Sequence, residues 1–418
     1  MGSVLDTADR LWRGELDISD THPFAVLGEV EEVADGVAFV PSFANVSALR
    51  TGDGLVLVDT GSAPLAEHVH GQVRRWDAGR LHTAVYSHGH VDHVFGVPLF
   101  EREAQDRGWE PPRVVAHEAL PRRFDRYVLT AGYNEVVNQR QFQLLDLRWP
   151  REYRYPDETY REALALRVGG LDLELNHCRG ETDDHTWTWV PSRRVLCCGD
   201  LFIWASPNAG NPQKVQRYPR EWAAGLRRMA GLGAEVLLPG HGWPVVGEDR
   251  VRQALSDTAE LLEHLHDETV RLMNEGARLD DVVHTVRAPQ HLLDRPYLHP
   301  VYDEPEFVVR NVWRLYGGWY DGNPSRLKPA PDAALAAELA QLVGGADRLA
   351  SRAQELAAAG ELRLAGHLAE LAAQAAPDDA SVHAARAEVY EARVAAEAST
   401  MSKGVFAWAA AESRRQAQ

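Results

Sequence analysis

Residues 87–93 read Ser87-His88-Gly89-His90-Val91-Asp92-His93, and they follow directly on the apolar run HTAVY at 82–86. The run has the composition and length of a buried β-strand, which places this segment at a strand end. Its imidazole and carboxylate groups are ligands that suit zinc, iron or manganese. Four such side chains so close together have little value for packing, and a dinuclear site is the arrangement that uses all of them comfortably. The segment therefore predicts two metal ions bound at the end of a strand.

Three further residues can complete such a site. Glu181, Asp200 and His241 each follow a predicted strand and each adjoin a glycine. Glycine beside a ligand lets the backbone turn sharply where a strand ends. These three residues therefore become candidate ligands, and an acidic residue among them is the candidate bridge between the two ions.

The order of predicted elements favours an αββα sandwich. Residues 33–59 have the strand and turn pattern of a β-meander, and later strands alternate with helices in two halves. Residues 119–138 predict a helix. Beyond residue 248 apolar residues fall at helical spacing, and 332–418 are rich in Ala and Leu with Gly and Pro between helix pairs. We predict a catalytic domain over 1–250 and an all-α domain over 251–418, used as a dimer interface.

Composition limits the partners and the compartment. The formal net charge of −17 argues against binding to nucleic-acid phosphates, which needs clustered Lys and Arg. The sequence shows neither an apolar run long enough to span a membrane nor a segment with the pattern of a signal peptide. Adjacent Cys197 and Cys198 are a poor disulfide pair and indicate buried packing in a reducing compartment. We expect a cytoplasmic protein with a small-molecule substrate and no membrane partner.

The motifs HGHVDH, GD and GHG, in this order, resemble those of the metallo-β-lactamase superfamily, and Asp59-Thr60-Gly61 resembles its early strand-end motif. The resemblance covers about the first 250 residues. It implies an αββα fold with two metal ions and an Asp59 that orients a ligand histidine. The implied ligands are His88, His90 and Glu181 for one ion, Asp92, His93 and His241 for the other, and Asp200 as the bridge.

Glu181 departs from the usual superfamily pattern, because histidine is common at this position. The acidic residue resembles the alkyl sulfatase branch, and it also resembles a group of di-iron oxygenases on the same fold. The segments at 264–276, 314–329 and 359–371 resemble the alkyl sulfatase dimerisation domain. This second resemblance favours the sulfatase branch and implies a homodimer formed through the C-terminal helices. The lipid-carrier-like domain of long-chain alkyl sulfatases is not seen, so long detergent-like substrates are not expected.

The implied chemistry is hydrolysis of an ester by metal-activated water, with two divalent ions. Zinc is the expected metal, with iron and manganese as alternatives. An alkyl sulfate is the specific substrate candidate, and lactones, thioesters and phosphodiesters stay open, as does di-iron oxygenase chemistry.

Residue roles follow from the same resemblance. Asp92 and Asp200 are the candidate catalytic residues, with Asp92 as proton acceptor, and Tyr320 or His185 is the candidate proton donor. Where relatives carry an Ala-Glu-Asn run, this chain has Cys198-Gly199-Asp200. The candidate substrate contacts downstream are Asn208, Asn211, Lys214, Arg217 and Tyr320, although an exposed salt bridge explains Lys214 or Arg217 equally well.

Overall fold

Two β-sheets form the centre of the computed structural model, which describes residues 3–418. The first sheet has seven strands in chain order. They are β1 (Glu31–Ala34), β2 (Val37–Val40), β3 (Val46–Thr51), β4 (Gly54–Val58), β5 (Leu81–Val85), β6 (Arg113–His117) and β7 (Glu158–Tyr160). The strands β1 to β4 pair antiparallel, and the pairs from β4 to β7 are parallel. The predicted meander and the strand before His88 are both present.

The second sheet has six strands in the order β13-β12-β11-β10-β9-β8. They are β8 (Ala163–Val168), β9 (Leu171–His177), β10 (Thr186–Val190), β11 (Val195–Gly199), β12 (Val236–Pro239) and β13 (Val245–Val246). The pair β11 and β12 is parallel and the other pairs are antiparallel. Parallel neighbours bring their carboxyl ends to the same edge of the sheet.

Alternate side chains of β4 show how the layers are built. Val56 and Val58 belong to the apolar cluster that also contains Leu173 and Val195 of the second sheet. Leu55 and Leu57 belong to a different cluster on the other face of the first sheet. Because successive side chains of a strand point to opposite faces, β4 is buried on both sides, which explains its unbroken apolar sequence.

Helices cover the outer faces of both sheets. Those of the first compact unit are α1 (Val4–Trp12), α2 (Ala66–Trp76), α3 (Val97–Arg107), α4 (Leu120–Leu129), α6 (Pro219–Ala230), α7 (Glu248–Asn274), α8 (Leu279–Thr285), α9 (Gln290–Leu293) and α10 (Pro305–Gly317). Val69 of α2, Phe100 of α3 and Phe124 of α4 complete the outer cluster of the first sheet. Helix α6 packs on α7, which also contacts β12 and β13. The predicted αββα sandwich is confirmed.

The chain divides into two compact units. The first contains the chain up to Ala131 together with Pro150–Gly318, and the second contains Gly132–Trp149 and Trp319–Gln418. The chain passes between these two units three times, and the domain boundary predicted at residue 250 stays a prediction.

The second unit is helical. Its elements are α5 (Ala131–Phe142), α11 (Asp332–Val343), α12 (Ala346–Ala358), α13 (Leu362–Ala375), α14 (Ala380–Ala396) and α15 (Thr400–Gln416). Small residues such as Ala350, Ala372 and Ala385 form much of its core. A Cβ on Gly404 of α15 would lie 2.1 Å from the carbonyl oxygen of Gln141, so α5 approaches α15 closely at this glycine. The predicted all-α region is confirmed.

The single helix expected over 119–138 is two helices in the structure, α4 and α5, and that expectation was wrong at their junction. The break falls at Thr130, whose hydroxyl donates to the carbonyl oxygen of Arg126 at 2.7 Å. The backbone of Thr130 leaves the helical conformation, with φ −107° and ψ 24°, so α4 ends there.

Candidate metal centre

The predicted metal ligands all follow strand ends in the first unit. The segment from His88 to His93 follows β5, Glu181 follows β9, Asp200 follows β11 and His241 follows β12. Since β11 and β12 are parallel neighbours, Asp200 and His241 leave the second sheet at the same edge. A Cβ on Gly240 would lie 2.0 Å from Asp200 Oδ1, so this close approach requires glycine.

The structure brings the seven candidate ligands together in two groups, and within each group the ligand atoms lie within 4.8 Å of one another. The first group contains His88, His90, Glu181 and Asp200, and the second contains Asp92, His93 and His241. This division agrees with the one that the family resemblance implies.

Glu181 connects the two histidines of the first group. Its Oε2 atom lies 3.4 Å from His88 Nε2 and 3.4 Å from His90 Nδ1. Both histidine nitrogens therefore face the same carboxylate oxygen.

Asp200 lies between the two groups. Its Oδ2 atom is 3.8 Å from His88 Nε2 in the first group and 3.3 Å from His241 Nε2 in the second. Its Oδ1 atom is 3.5 Å from His93 Nε2. Asp92 Oδ2 lies 3.3 Å from His241 Nε2 and 3.6 Å from His93 Nε2. Asp200 thus occupies the position that a bridging carboxylate needs.

The donor set fits bound cations. Ligand bonds of about 2.0–2.2 Å in tetrahedral geometry place neighbouring donors about 3.3–3.6 Å apart, close to the separations found between these groups. Three buried atoms at the centre, His93 Nε2, Glu181 Oε2 and Asp200 Oδ1, have no hydrogen-bond partner among residues 3–418. Buried polar atoms are normally satisfied, and a cation satisfies all three.

Asp59 supports the second group from behind. Its Oδ2 atom lies 2.8 Å from His93 Nδ1 and accepts from the Ser87 hydroxyl at 2.7 Å, while Oδ1 accepts from the Ser87 amide at 2.7 Å. With Nδ1 turned to Asp59, the Nε2 atom of His93 faces the centre. His241 is oriented in the same way, because its Nδ1 lies 2.5 Å from the carbonyl oxygen of Phe43. The structure thus places Asp59 where a supporting acceptor belongs.

Two of the predicted substrate residues contact Glu181 instead. The amide of Asn208 donates to Glu181 Oε1, and Arg217 donates to the Glu181 carbonyl oxygen. Arg217 Nη2 also lies 3.5 Å from Glu181 Oε1, and both residues are buried. These contacts orient the ligand, a role that the sequence did not suggest for either residue.

The other predicted substrate residues are differently placed. Asn211 is buried. Burial lowers the pKa of Lys214 to about 7, with a further decrease from Arg217, whereas Asp92 and Glu181 act in the opposite direction. Tyr320 lies in the second compact unit and is exposed. Its substrate role stays a prediction.

A buried ion pair that the sequence analysis missed supports the metal-binding loop. Arg123 of α4 donates to Asp184 Oδ1 at 2.8 Å and also to Asp183. Asp184 Oδ2 accepts from the Gly89 amide at 2.9 Å, between His88 and His90. The adjacent acids after Glu181 were the available signal, but their partner lies some sixty residues away along the chain.

His185 packs against the centre. Its ring stacks on that of His88 with centroids 4.6 Å apart, and its Nε2 lies 3.2 Å from the carbonyl oxygen of Cys198. Burial lowers its pKa.

The centre is electrostatically coupled. Burial by itself would lower the pKa of His241, but Asp200 and Asp92 raise it to about 9. Burial by itself would raise the pKa of Asp92, but His93 and His241 lower it to about 2. The carboxylates are therefore ionised and ready to bind cations, and a cation must displace a proton from histidine.

Comparison with known families defines the class of protein. Residues 40–241 match the metallo-beta-lactamase superfamily, and residues 278–416 match the alkyl sulfatase dimerisation family. The chain therefore combines a region similar to the metallo-beta-lactamase superfamily with a region similar to the alkyl sulfatase dimerisation family.

Individual relatives agree with this assignment. A linear primary-alkylsulfatase of Pseudomonas sp. (strain ATCC 19151) is 29% identical over 357 residues, which cover 79% of this chain and 66% of the relative. The chain spans about half to two thirds of the length of the alkylsulfatases that it matches. The alpha subunit of a 2,4-dinitroanisole O-demethylase of Nocardioides sp. (strain JS1661) is 23% identical over 73% of this chain and 87% of the relative.

A solved structure shares the fold. The stereoselective inverting sec-alkylsulfatase of Pseudomonas sp. superposes with a TM-score of 0.83 at 23% identity, over 93% of this chain and 66% of that one. Within residues 3–418, no helix combines the length and the hydropathy that crossing a bilayer requires.

Proposed function

We propose that this chain is a dinuclear metal-dependent hydrolase that cleaves a sulfate ester of modest size. The observation that carries the proposal is the convergence of seven ligand side chains from four strand ends into two adjacent groups. The names of the alkylsulfatase relatives support the sulfate ester as substrate.

The candidate residues have distinct roles in this proposal. One ion would be held by His88, His90 and Glu181, and the other ion by Asp92, His93 and His241. Asp200 would bind both ions. Bound divalent cations lower the pKa of water towards neutrality and polarise the oxygens of an ester. Asp92 would be the acceptor for a proton of the attacking water, because its carboxylate is ionised and its side chain is partly exposed.

We assign recognition of the sulfate group to Lys214 and Asn211. Arg217 and Asn208 are engaged by Glu181, so we assign them to its orientation. Lys214 is close enough to Asp92 and Glu181 to interact with both charges, which places a cationic side chain beside the proposed reaction site. A sulfate oxyanion is a strong acceptor for such a group.

Metal analysis of the purified protein is the first test. We expect about two divalent ions per chain, zinc in particular, with iron or manganese as alternatives. The variants His88→Ala and Asp200→Ala should lose metal and lose sulfate-ester hydrolysis by at least a hundredfold. The exposed residues His284 and Asp172 provide matched controls as alanine variants. Retention of full activity in both ligand variants would contradict the proposal.

Glu181 favours one alternative, a di-iron oxygenase, because an added carboxylate stabilises the oxidised metal. That function requires iron, near-ultraviolet charge-transfer absorption and oxygen uptake with substrate. A zinc-loaded protein that hydrolyses its substrate without oxygen uptake excludes it.

A substrate panel separates the remaining hydrolytic reactions. It contains a short alkyl sulfate, an aryl sulfate, a lactone, a thioester, a phosphodiester and an aryl methyl ether, the last because one relative is named an O-demethylase. We expect the alkyl sulfate to be cleaved fastest.

We further propose a homodimer formed through the C-terminal helices and a cytoplasmic location. The dimerisation family match supports the first. Three buried free cysteines, Cys178, Cys197 and Cys198, are consistent with a reducing compartment and support the second.

A further inference from the structure

A second concavity of the first unit lies beside the metal-binding loop. Its volume is about 810 Å³, and it lies between α4, α6 and the carboxyl ends of β6 and β9. The seven metal ligands are not among the residues that line it. We call it the arginine cavity, after its lining arginines Arg122, Arg123, Arg126, Arg161, Arg179 and Arg228.

The arginine cavity carries positive charge that its own acids do not neutralise. Four acidic residues line it, Glu118, Glu162, Asp183 and Glu221. Arg161 pairs with Glu118 at 3.2 Å and Arg123 with Asp183.

Three of the other arginines lie over aromatic rings rather than beside carboxylates. The ring centroids are 5.4 Å away for Arg126 over Tyr127, 5.1 Å for Arg179 over Tyr218 and 5.5 Å for Arg228 over Trp187. An arginine held on a ring keeps its N–H groups available at the edge of the guanidinium plane. In a protein of net charge −17, such a concentration of arginines creates a local field that attracts anions.

The floor of the cavity is buried and polar. Arg123 is 2% exposed, and its Nη1 atom has no hydrogen-bond partner within residues 3–418. His117 Nδ1 accepts from the Ala119 amide at 3.2 Å, and the other nitrogen of the ring donates to the backbone of Arg161. The His117 ring is held against that of His177, with centroids 3.7 Å apart.

We propose that the arginine cavity binds a doubly charged tetrahedral oxyanion, inorganic sulfate or phosphate, between the arginines of α4 and Arg228 of α6. Planar guanidinium groups bind such oxygens with two parallel hydrogen bonds, and the buried Nη1 group of Arg123 on the floor completes the contact. The proposal is independent of the proposed hydrolase function, because the metal ligands take no part in it.

Anion binding here reaches the metal-binding loop through one side chain. Arg123 lines the cavity and donates to Asp184, which accepts from the Gly89 amide. A bound oxyanion competes with Asp183, whose side chain is 42% exposed, for the same guanidinium. An anion bound in the cavity therefore changes the contacts of Arg123 that support the loop of His88 and His90.

The test is calorimetric titration of inorganic sulfate and of phosphate into the full chain as purified, repeated after removal of metal by a chelator, at constant ionic strength in sodium chloride. We expect saturable binding with a Kd on the order of 1 mM or below. The double variant Arg122→Gln/Arg228→Gln should weaken it about tenfold or more. The double variant Arg102→Gln/Arg220→Gln removes the same charge from exposed sites of α3 and α6 outside the cavity and should bind as the wild type does.

Each outcome decides the question. Absence of saturable binding, or equal binding by the cavity variant and the control variant, overturns the proposal. Binding that disappears with the metal assigns the anion to the metal centre and also overturns it. Ethyl sulfate, a singly charged ester, should bind more weakly than sulfate, and equal affinity contradicts the requirement for a dianion. Circular dichroism checks the fold, and Arg228→Gln alone replaces the double variant if that one does not fold. If chelation unfolds the chain, the as-purified protein is titrated with the same variants.

Discussion

Glu181 is the candidate ligand at which this chain differs from the usual pattern of the metallo-β-lactamases that it resembles. The amide of Asn208 and the guanidinium of Arg217 lie beside its Oε1 atom. The imidazoles of His88 and His90 face its Oε2 atom. A carboxylate so enclosed is costly to bury unless its remaining lone pairs are satisfied.

Glu181→Gln tests this residue directly. The amide is neutral and binds cations weakly, so the metal content should fall from about two ions per chain to about one, with the second group still loaded. Elemental analysis after dialysis measures it. Glu174→Gln, which changes an exposed carboxylate on β9, is the control and should keep both ions. Full metal content in the Glu181 variant would show that this residue is not a ligand.

The buried ion pair between Arg123 and Asp184 should contribute to the free energy of unfolding. Asp184→Ala leaves a fully buried guanidinium without its main partner and the Gly89 amide without its acceptor, and should lower the free energy of unfolding by about 3 kcal/mol or more. Asp183→Ala removes the partly exposed partner of the same arginine and should cost about 1 kcal/mol or less. Denaturant unfolding measures the free energy of unfolding of the two variants and of the wild type. Equal losses would contradict a dominant role for Asp184.

At the scale of elements, the segment before α10 holds the loop that follows β11. Asp303 accepts from the Gly210 amide at 2.7 Å and from the Glu304 amide at 2.8 Å. Asn311 of α10 reaches the same loop, since its amide donates to the carbonyl oxygen of Arg217 at 3.1 Å. These contacts position the segment that carries Asn208 and Arg217 against Glu181.

The burial of Asp303 predicts that the free energy of unfolding depends on pH. Burial raises its pKa to about 7, against the restraining effect of the two backbone donors. Its contribution to stability is therefore fully present below about pH 4 and is lost as the pH rises through about 7, by a few kcal/mol at most. In Asp303→Asn this loss should be absent, so the difference in unfolding free energy between variant and wild type should move in favour of the variant from about pH 4 to about pH 8.

The exposed Asp280→Asn variant is the control for this pH series and should follow the wild type. A difference between Asp303→Asn and wild type that does not change with pH would show that Asp303 titrates normally.

At the scale of the whole molecule, the helical unit carries the oligomerisation prediction. On α11, Leu335 and Leu342 are exposed by 54% and 74%, and their seven-residue spacing places them on one face of the helix. The double variant Leu335→Glu/Leu342→Glu should convert a dimer into a monomer, because it introduces charge into an apolar contact.

Analytical ultracentrifugation measures this change. Leu27→Glu, at an exposed leucine of the first unit, is the control and should remain dimeric. A dimer that survives the α11 substitutions places the interface on another face, and a monomeric wild type contradicts the proposed dimer.

Much of this molecule follows from the local sequence. The alternation of β9, the unbroken apolar run of β4 and the helical spacing beyond residue 248 are short-range patterns, and each produced the predicted element. Residues 88–93 identified the chemistry because ligands this close in sequence cannot be far apart in space. The helix expected through Thr130 is interrupted there, because the backbone of this one residue leaves the helical conformation.

The local sequence was enough to predict the candidate ligand types, the layered fold and the helical character of the C-terminal half, because each depends on residues near one another along the chain. Only the tertiary structure decided that Asp200 lies between the two groups, that Asn208 and Arg217 turn to Glu181, and that Arg123 binds Asp184 behind Gly89. These contacts join strand ends and helices distant in sequence. The order and register of the strands set the distances between these residues. The packing of the whole unit fixes that order and register.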